Sequence, residues 1–161
     1  MLAEAVLCMA LNIVHEADTV KEPFSGRLAI GFVTKNRADQ NGTSVCWEVI
    51  RYRQFSWTLD PMNLRALPEG KAWNESVQAA ELVLSGTLPD ITSGATHFHA
   101  YYIHPSWAKG MIRLGRFGSH IFYKEKKHGN GIGNSARCEG CCSGCERDHY
   151  VEPVRRDHPA S

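Results

Sequence analysis

Glu16 is the side chain with the strongest claim to chemistry. It follows His15 at the end of an apolar run, Ala5 to Val14. A single glutamate at a helix end is ordinarily a solvated charge. This one closes a segment too apolar for a surface helix, at the C-terminal end, where the helix dipole disfavours negative charge. Burial and dipole both favour a carboxyl that keeps its proton, as a general acid must.

Four further groups have types and spacings that bear on function. Gln54-Phe55-Ser56-Trp57 sets an amide, a hydroxyl and an indole beside two aromatic faces. That combination suits a sugar ring, with C–H faces that stack and hydroxyls that hydrogen-bond, and it equally suits two aromatics packed at a helix–loop junction. His97 and His99 alternate onto one face, with His104 and His120 nearby in sequence. Imidazoles at that spacing are either zinc ligands or the polar wall of a cleft, and a zinc site needs a third ligand that spacing does not supply. The cleft reading is favoured, and no metal or other cofactor is expected. Cys46 lies near a helix start, where a thiol can become a nucleophile, but its helix wants it inward with Ile50, so an inert core thiol is expected there and at Cys8. Cys138, Cys141, Cys142 and Cys145 crowd into eight residues, too close together for the two pairs of a zinc ribbon. They suit a compact metal site, tight disulfides or an unstructured tail.

The elements that must position these groups follow from periodicity. Leu2, Val6, Met9 and Ile13 recur at helical spacing through His15-Glu16-Ala17. Ser25 is the expected N-cap of a second helix through Arg37, with Leu28, Ala29, Phe32, Val33 and Asn36 near one face, and Asp39, Asn41 and Gly42 breaking it. Thr43-Ser44 caps a short third helix with Val45, Val49, Cys46 and Ile50 inward. Trp73, Val77, Ala80 and Leu84 mark a fourth, closed by Gly86. Ala95 to Tyr102 alternates as a strand, with His97, His99 and Tyr101 on one side, and Arg116 to Tyr123 supplies a second extended piece. The expected class is α+β, mainly helical.

At 161 residues the chain has room for one domain plus an appendage. Residues 1–123 hold the apolar residues of a folding unit. Residues 124–161 have too few for a core of their own and read as a Gly-, Cys- and charge-rich tail. Hydrophobic residues make up 43% and charged residues 22%, which excludes a wholly disordered chain, and a net charge of +1 lacks the basic footprint of a nucleic-acid binder. No apolar run reaches the roughly 20 residues of a membrane span, and Glu4 with no basic n-region argues against a signal peptide. A monomer without membrane insertion is expected.

In order along the chain stand Ala10-Leu11-Asn12-Ile13-Val14-His15-Glu16-Ala17, Glu22-Pro23, Gly26-Arg27-Leu28-Ala29-Ile30-Gly31 with Asn36-Arg37, and Gln54-Phe55-Ser56-Trp57. Gly94-Ala95-Thr96-His97-Phe98-His99-Ala100, Pro105-Ser106-Trp107 and Gly118-Ser119-His120-Ile121-Phe122-Tyr123 follow. Taken together they resemble the cell wall hydrolase family typified by the spore cortex-lytic enzyme SleB, over nearly all of residues 2–123.

The resemblance implies a single lysozyme-like domain of lytic-transglycosylase type acting on peptidoglycan glycan strands, with Glu16 as catalytic acid. It also implies substrate contacts from Glu22, Gln54, Phe55, Ser56, Trp57, Thr96, His97, His99 and Trp107. One departure bears on the site. The family commonly follows its glutamate with Arg-Gly-Glu-Pro, whereas here Asp18-Thr19-Val20-Lys21-Glu22-Pro23 is two residues longer and lacks the Arg and Gly. Asp18 or Glu22 then becomes a candidate second carboxylate. Small signal-less enzymes of this kind resemble phage endolysins, held in the host cytoplasm until lysis, with Lys124, Lys126, Lys127, Arg155 and Arg156 available to adhere to envelope polymers. Two other readings compete: a zinc amidase cutting the muramyl–peptide bond with His97 and His99, and a non-catalytic glycan-binding module using Trp57, Trp107 and the tyrosines.

Overall fold

The computed structural model describes residues 3–17, 21–51, 54–60, 63 and 67–126. Backbone contacts divide the chain into Met1–Lys126 and Lys127–Ser161. The second unit, with the four clustered cysteines, lies outside the described residues.

The first unit is mixed: helices α1 (Glu4–Glu16), α2 (Phe24–Asn41), α3 (Val45–Ile50) and α4 (Lys71–Ser85), then a sheet of β1 (His97–Ala100), β2 (Ile112–Phe117) and β3 (His120–Lys124). No helix among the described residues is long and apolar enough to cross a membrane. Helix α2 is the central element, with Ala29, Ile30, Phe32 and Val33 in the core beside Met9, Ala10 and Ile13 of α1 and Ala79, Ala80 and Val83 of α4. Gly31 marks the crossing: a Cβ there would lie 3.2 Å from both Ile13 and Val83. The missing side chain lets three helices close around one point.

Several boundaries differ from the sequence expectation. Pro23, not Ser25, is the N-cap of α2, and its carbonyl accepts from the Gly26 and Arg27 amides. A proline there loses nothing by lacking an N–H, because a helix start leaves such donors unpaired anyway. The helix continues past Arg37 to Asn41, and Gly42 ends it in the left-handed conformation, φ 62°. Ser44 does cap α3, its hydroxyl accepting from the Trp47 amide at 3.1 Å. Ile50, expected inward, is 56% exposed, while Glu48 and Val49 are buried. Val45 and Val49 do turn into an apolar cluster and Cys46 meets α1, so of the four residues expected inward only Ile50 faces out. Gly86 closes α4 as expected, also left-handed.

Cys8 and Cys46, expected as separate core thiols, form a disulfide between α1 and α3. Periodicity places each cysteine on its own helix and is silent on which helices touch.

The sheet order is β1-β3-β2, antiparallel throughout. β1 is shorter than the expected strand, and the single extended piece after Arg116 is instead a hairpin. Gly118, at φ 56°, takes the turn that a side chain would strain. Phe98, Phe122 and Phe117 share the face packed on the core.

Candidate active site

Glu16 is the last residue of α1 and is half-buried. Beside it the His15 ring stacks on Trp57, centroids 4.5 Å apart and planes 14° from parallel. The indole is fixed from the other side, for its Nε1–H donates to Asn12 Oδ1 at 2.9 Å. Asn12 Nδ2 donates in turn to Thr34 Oγ1 on α2 at 2.9 Å. Asn12 and His15 are one helical turn apart, so α1 holds the same indole by its edge and by its face. Burial pushes the His15 pKa down, leaving a neutral imidazole at neutral pH.

The 54–57 segment, whose Ser56 and Trp57 open a short 3-10 helix (Ser56–Leu59), contributes differently from what its residue types suggested. Phe55 and Trp57 are 4% and 8% exposed and pack with Val49, Leu11 and Val45, so both rings have little surface to offer a sugar. The outward side chains are exposed Ser56 and half-buried Gln54, whose Oε1 accepts from Arg51 at 2.6 Å. Of the two open readings, the packed junction describes the rings and a polar rim describes the other pair.

Arg37 is the residue that residue-type reasoning passed over. Its Nε donates to the Thr96 carbonyl, and its guanidinium carbon lies 5.4 Å from the centre of the Phe55 ring. Burial lowers its pKa to about 10, against the opposing pull of Glu48 and then Glu16, so it stays charged at neutral pH. Glu48, wholly buried on α3, balances Arg37 and accepts from Asn41 at 2.9 Å. Next to Arg37, Asn36 donates to Asp90 at 2.9 Å and to the Ala95 carbonyl at 3.0 Å. The end of α2 thereby fastens the segment entering β1. The Asn36-Arg37 pair was visible as a motif, but nothing in the sequence told its role.

Thr96, His97, His99 and Trp107 come together. The Thr96 hydroxyl meets His97 Nδ1 at 2.9 Å, and the Trp107 ring lies 5.7 Å from His97 and 5.6 Å from His99. Both ring nitrogens of His99 are engaged, Nδ1 with the Ala100 carbonyl at 2.8 Å and Nε2 with the Tyr123 hydroxyl at 3.0 Å. Among the described residues no three or more His, Cys, Asp or Glu side chains are grouped to hold a metal. These imidazoles form a polar, aromatic wall.

Glu22 lies elsewhere. Its side chain is wholly enclosed, its carboxylate accepts from the Ser119 amide at 3.1 and 3.3 Å, and His120 Nδ1 is 3.8 Å away. A Cβ on Gly26 or on Gly118 would sit 1.9 Å from its Oε1. The carboxylate is thus a pin between the start of α2 and the β2–β3 turn, without surface for the expected substrate contact. Asp18, the other candidate second carboxylate, lies outside the described residues.

A model of the cell wall hydrolase family matches residues 21–123. Glu16 stands five residues ahead of that match. No curated protein matches the chain. Two solved structures are similar. One is the catalytic domain of the Bacillus cereus SleB protein, with 21% identity and TM-score 0.56, covering 77% of this chain and 93% of that one. The other is the catalytic domain of the germination-specific lytic transglycosylase SleB from Bacillus anthracis, with 20% identity and TM-score 0.61, covering 76% and 97%. At these identities the likeness is one of fold, and the fold is lysozyme-like.

Proposed function

The chain belongs to the cell wall hydrolase family, whose members degrade peptidoglycan, and from that premise we propose that it acts as a lytic transglycosylase on the bond between N-acetylmuramic acid and N-acetylglucosamine. Glu16 is the one proton donor and acceptor in this reading. Its carboxyl protonates the glycosidic oxygen as the bond breaks, leaving an oxocarbenium-like muramyl C1. The resulting carboxylate takes the proton from the muramyl C6 hydroxyl as that oxygen bonds to C1. The product is a 1,6-anhydro sugar, the acid is restored, and no water is consumed.

The observation that carries the reading is convergence on Glu16. The stacked His15–Trp57 pair adjoins it, and Arg37 ties it electrostatically to the 54–57 segment and to Thr96 at the mouth of the His97–His99–Trp107 wall. Arg37 favours the ionised acid that the second half-step needs. In this assignment Gln54, Ser56, Thr96, His97, His99 and Trp107 face the glycan, Phe55 and Trp57 support it from beneath, and Glu22 holds the scaffold. A single acid suffices, so no second carboxylate is required of Asp18 or Glu22.

The chain would serve in endolysin-type lysis. The Cys8–Cys46 disulfide suits work in an oxidising compartment once the wall is reached. Mass spectrometry of a purified peptidoglycan digest tests the chemistry. 1,6-Anhydromuropeptides are expected from the wild type, and Glu16→Gln is expected to lose turnover with an unchanged circular dichroism spectrum. Free reducing muramyl ends would indicate hydrolysis instead, and a Glu16→Gln protein of wild-type activity would remove the assignment of the acid.

A further inference from the structure

Antiparallel partners share a face, so the register fixes what the sheet turns away from the core. His97 pairs with Tyr123 and Tyr123 with Arg113, while His99 pairs with Ile121 and Ile121 with Arg116. The outer face therefore carries the His97–His99 wall along β1 and two arginines along β2, with Trp107 against His97, His99 and Tyr123. The strand that carries this face is entered at Thr96, whose carbonyl accepts from Arg37.

Both arginines are exposed. The Arg116 guanidinium lies 4.0 Å over the Tyr101 ring, and its Nε donates to the Gly118 carbonyl at 2.9 Å. Its two η nitrogens, like the whole Arg113 guanidinium, have no hydrogen-bond partner among the described residues. Stacking holds the Arg116 group before any ligand arrives, which reduces the ordering cost of a bidentate contact.

Charge is segregated along the chain in the same sense. Residues 1–90 carry eight Lys or Arg against eleven Asp or Glu, whereas residues 91–124 carry Lys109, Arg113, Arg116 and Lys124 and not one acidic side chain. An exposed cationic row beside an aromatic strip suits a ligand with an uncharged ring and a pendant carboxylate.

We propose that Arg113 and Arg116 bind the carboxylates of the stem peptides that hang from the glycan, so that the outer sheet face selects strands still carrying their peptides. This rests on the reading of the chain as a peptidoglycan-cleaving enzyme and adds a specificity determinant to it. The sugar lies toward the His97–Trp107 wall, and its peptide crosses toward β2.

Two ligands separate the possibilities: glycan strands with intact stem peptides, and the same strands stripped of peptides by an amidase. Binding is measured in a Glu16→Gln background so that turnover does not consume the ligand, and circular dichroism checks that each variant is folded. Intact strands are expected to bind about tenfold more tightly than stripped ones, the gain of two charge-assisted contacts at an exposed site. Arg113→Ala with Arg116→Ala should abolish that difference, and Arg113→Lys with Arg116→Lys should restore part of it. Equal binding of both strand types by the parent, or an alanine variant weakened equally on both, overturns the inference. Neither result bears on the cleavage chemistry, whose failure shows separately as the absence of 1,6-anhydro products from a wild-type digest.

Discussion

Removing the Cys8–Cys46 bridge measures how firmly α1 is held, because that link joins the helix ending in Glu16 to α3. The variant is Cys8→Ala with Cys46→Ala, which leaves no unpaired thiol to exchange. The two cysteines are 38 residues apart. In the chain-entropy description, closing a loop of that length in the unfolded chain is worth about 4 kcal/mol at 25 °C. For a folding unit of this size, each kcal/mol moves the melting temperature by about 4 °C, so a drop of about 16 °C is expected. Calorimetric melts of the oxidised wild type, the wild type in reductant and the double variant supply the test, with the two bridge-less samples melting together. Cys8 lies two turns before Glu16, so activity well below the melting temperature should persist. A double variant melting within about 2 °C of the oxidised protein would refute the reasoning, since a 38-residue closure then restrains nothing. Ready reaction of Cys8 and Cys46 with a thiol reagent in the native, oxidised protein would do the same.

Two further outcomes follow from the site. Arg37→Met removes the donor to Thr96 and one of the two cations near buried Glu48, whose ion pair with Arg51 at 3.8 Å remains, so a loss of about 1–3 kcal/mol in urea unfolding is expected. Adding Glu48→Gln should recover part of that loss in a double-mutant cycle, whereas strict additivity would show the two charges to be uncoupled. The lowered His15 pKa works through the opposite protonation change: below its ordinary value of 6.5 the unfolded chain takes up a proton that the folded one resists. Stability should therefore fall as pH drops through that value. His15→Phe keeps a ring on Trp57 without a titrating group, and the pH dependence of its urea midpoint should be shallower between pH 5 and 7. Parallel curves for the two proteins would contradict this.

Much of the scaffold is legible in the residues because helix periodicity and terminators are local signals. The stripe from Val6 to Ile13, the Ser44 cap and the Gly86 terminator each depend on a few neighbours in sequence, and each stands where those neighbours put it. Within the site, alternation placed His97 and His99 on one face for the same reason. What could not be read depends on contacts between distant segments. An arginine near the end of a helix reads as a surface charge until Phe55, Thr96 and Glu48 are seen around it. An aromatic pair such as Phe55 and Trp57 has the same composition in a groove as in a core, and only burial separates the two. A glutamate pinned between Gly26 and Gly118 needs both glycines in view, and they are far apart along the chain.

The enclosure of Glu22 reaches beyond its own position. Ala17 on one side and Glu22 on the other are both interior, so the stretch between them is moored at each end. Such a stretch can lengthen or change composition while its moorings, and the acid one residue upstream of the first, stay in register. The departure read from the sequence, Asp18-Thr19-Val20-Lys21 in place of a shorter Arg-Gly, falls in that interval. Under the proposed function, preferences could shift there without rebuilding the core around them.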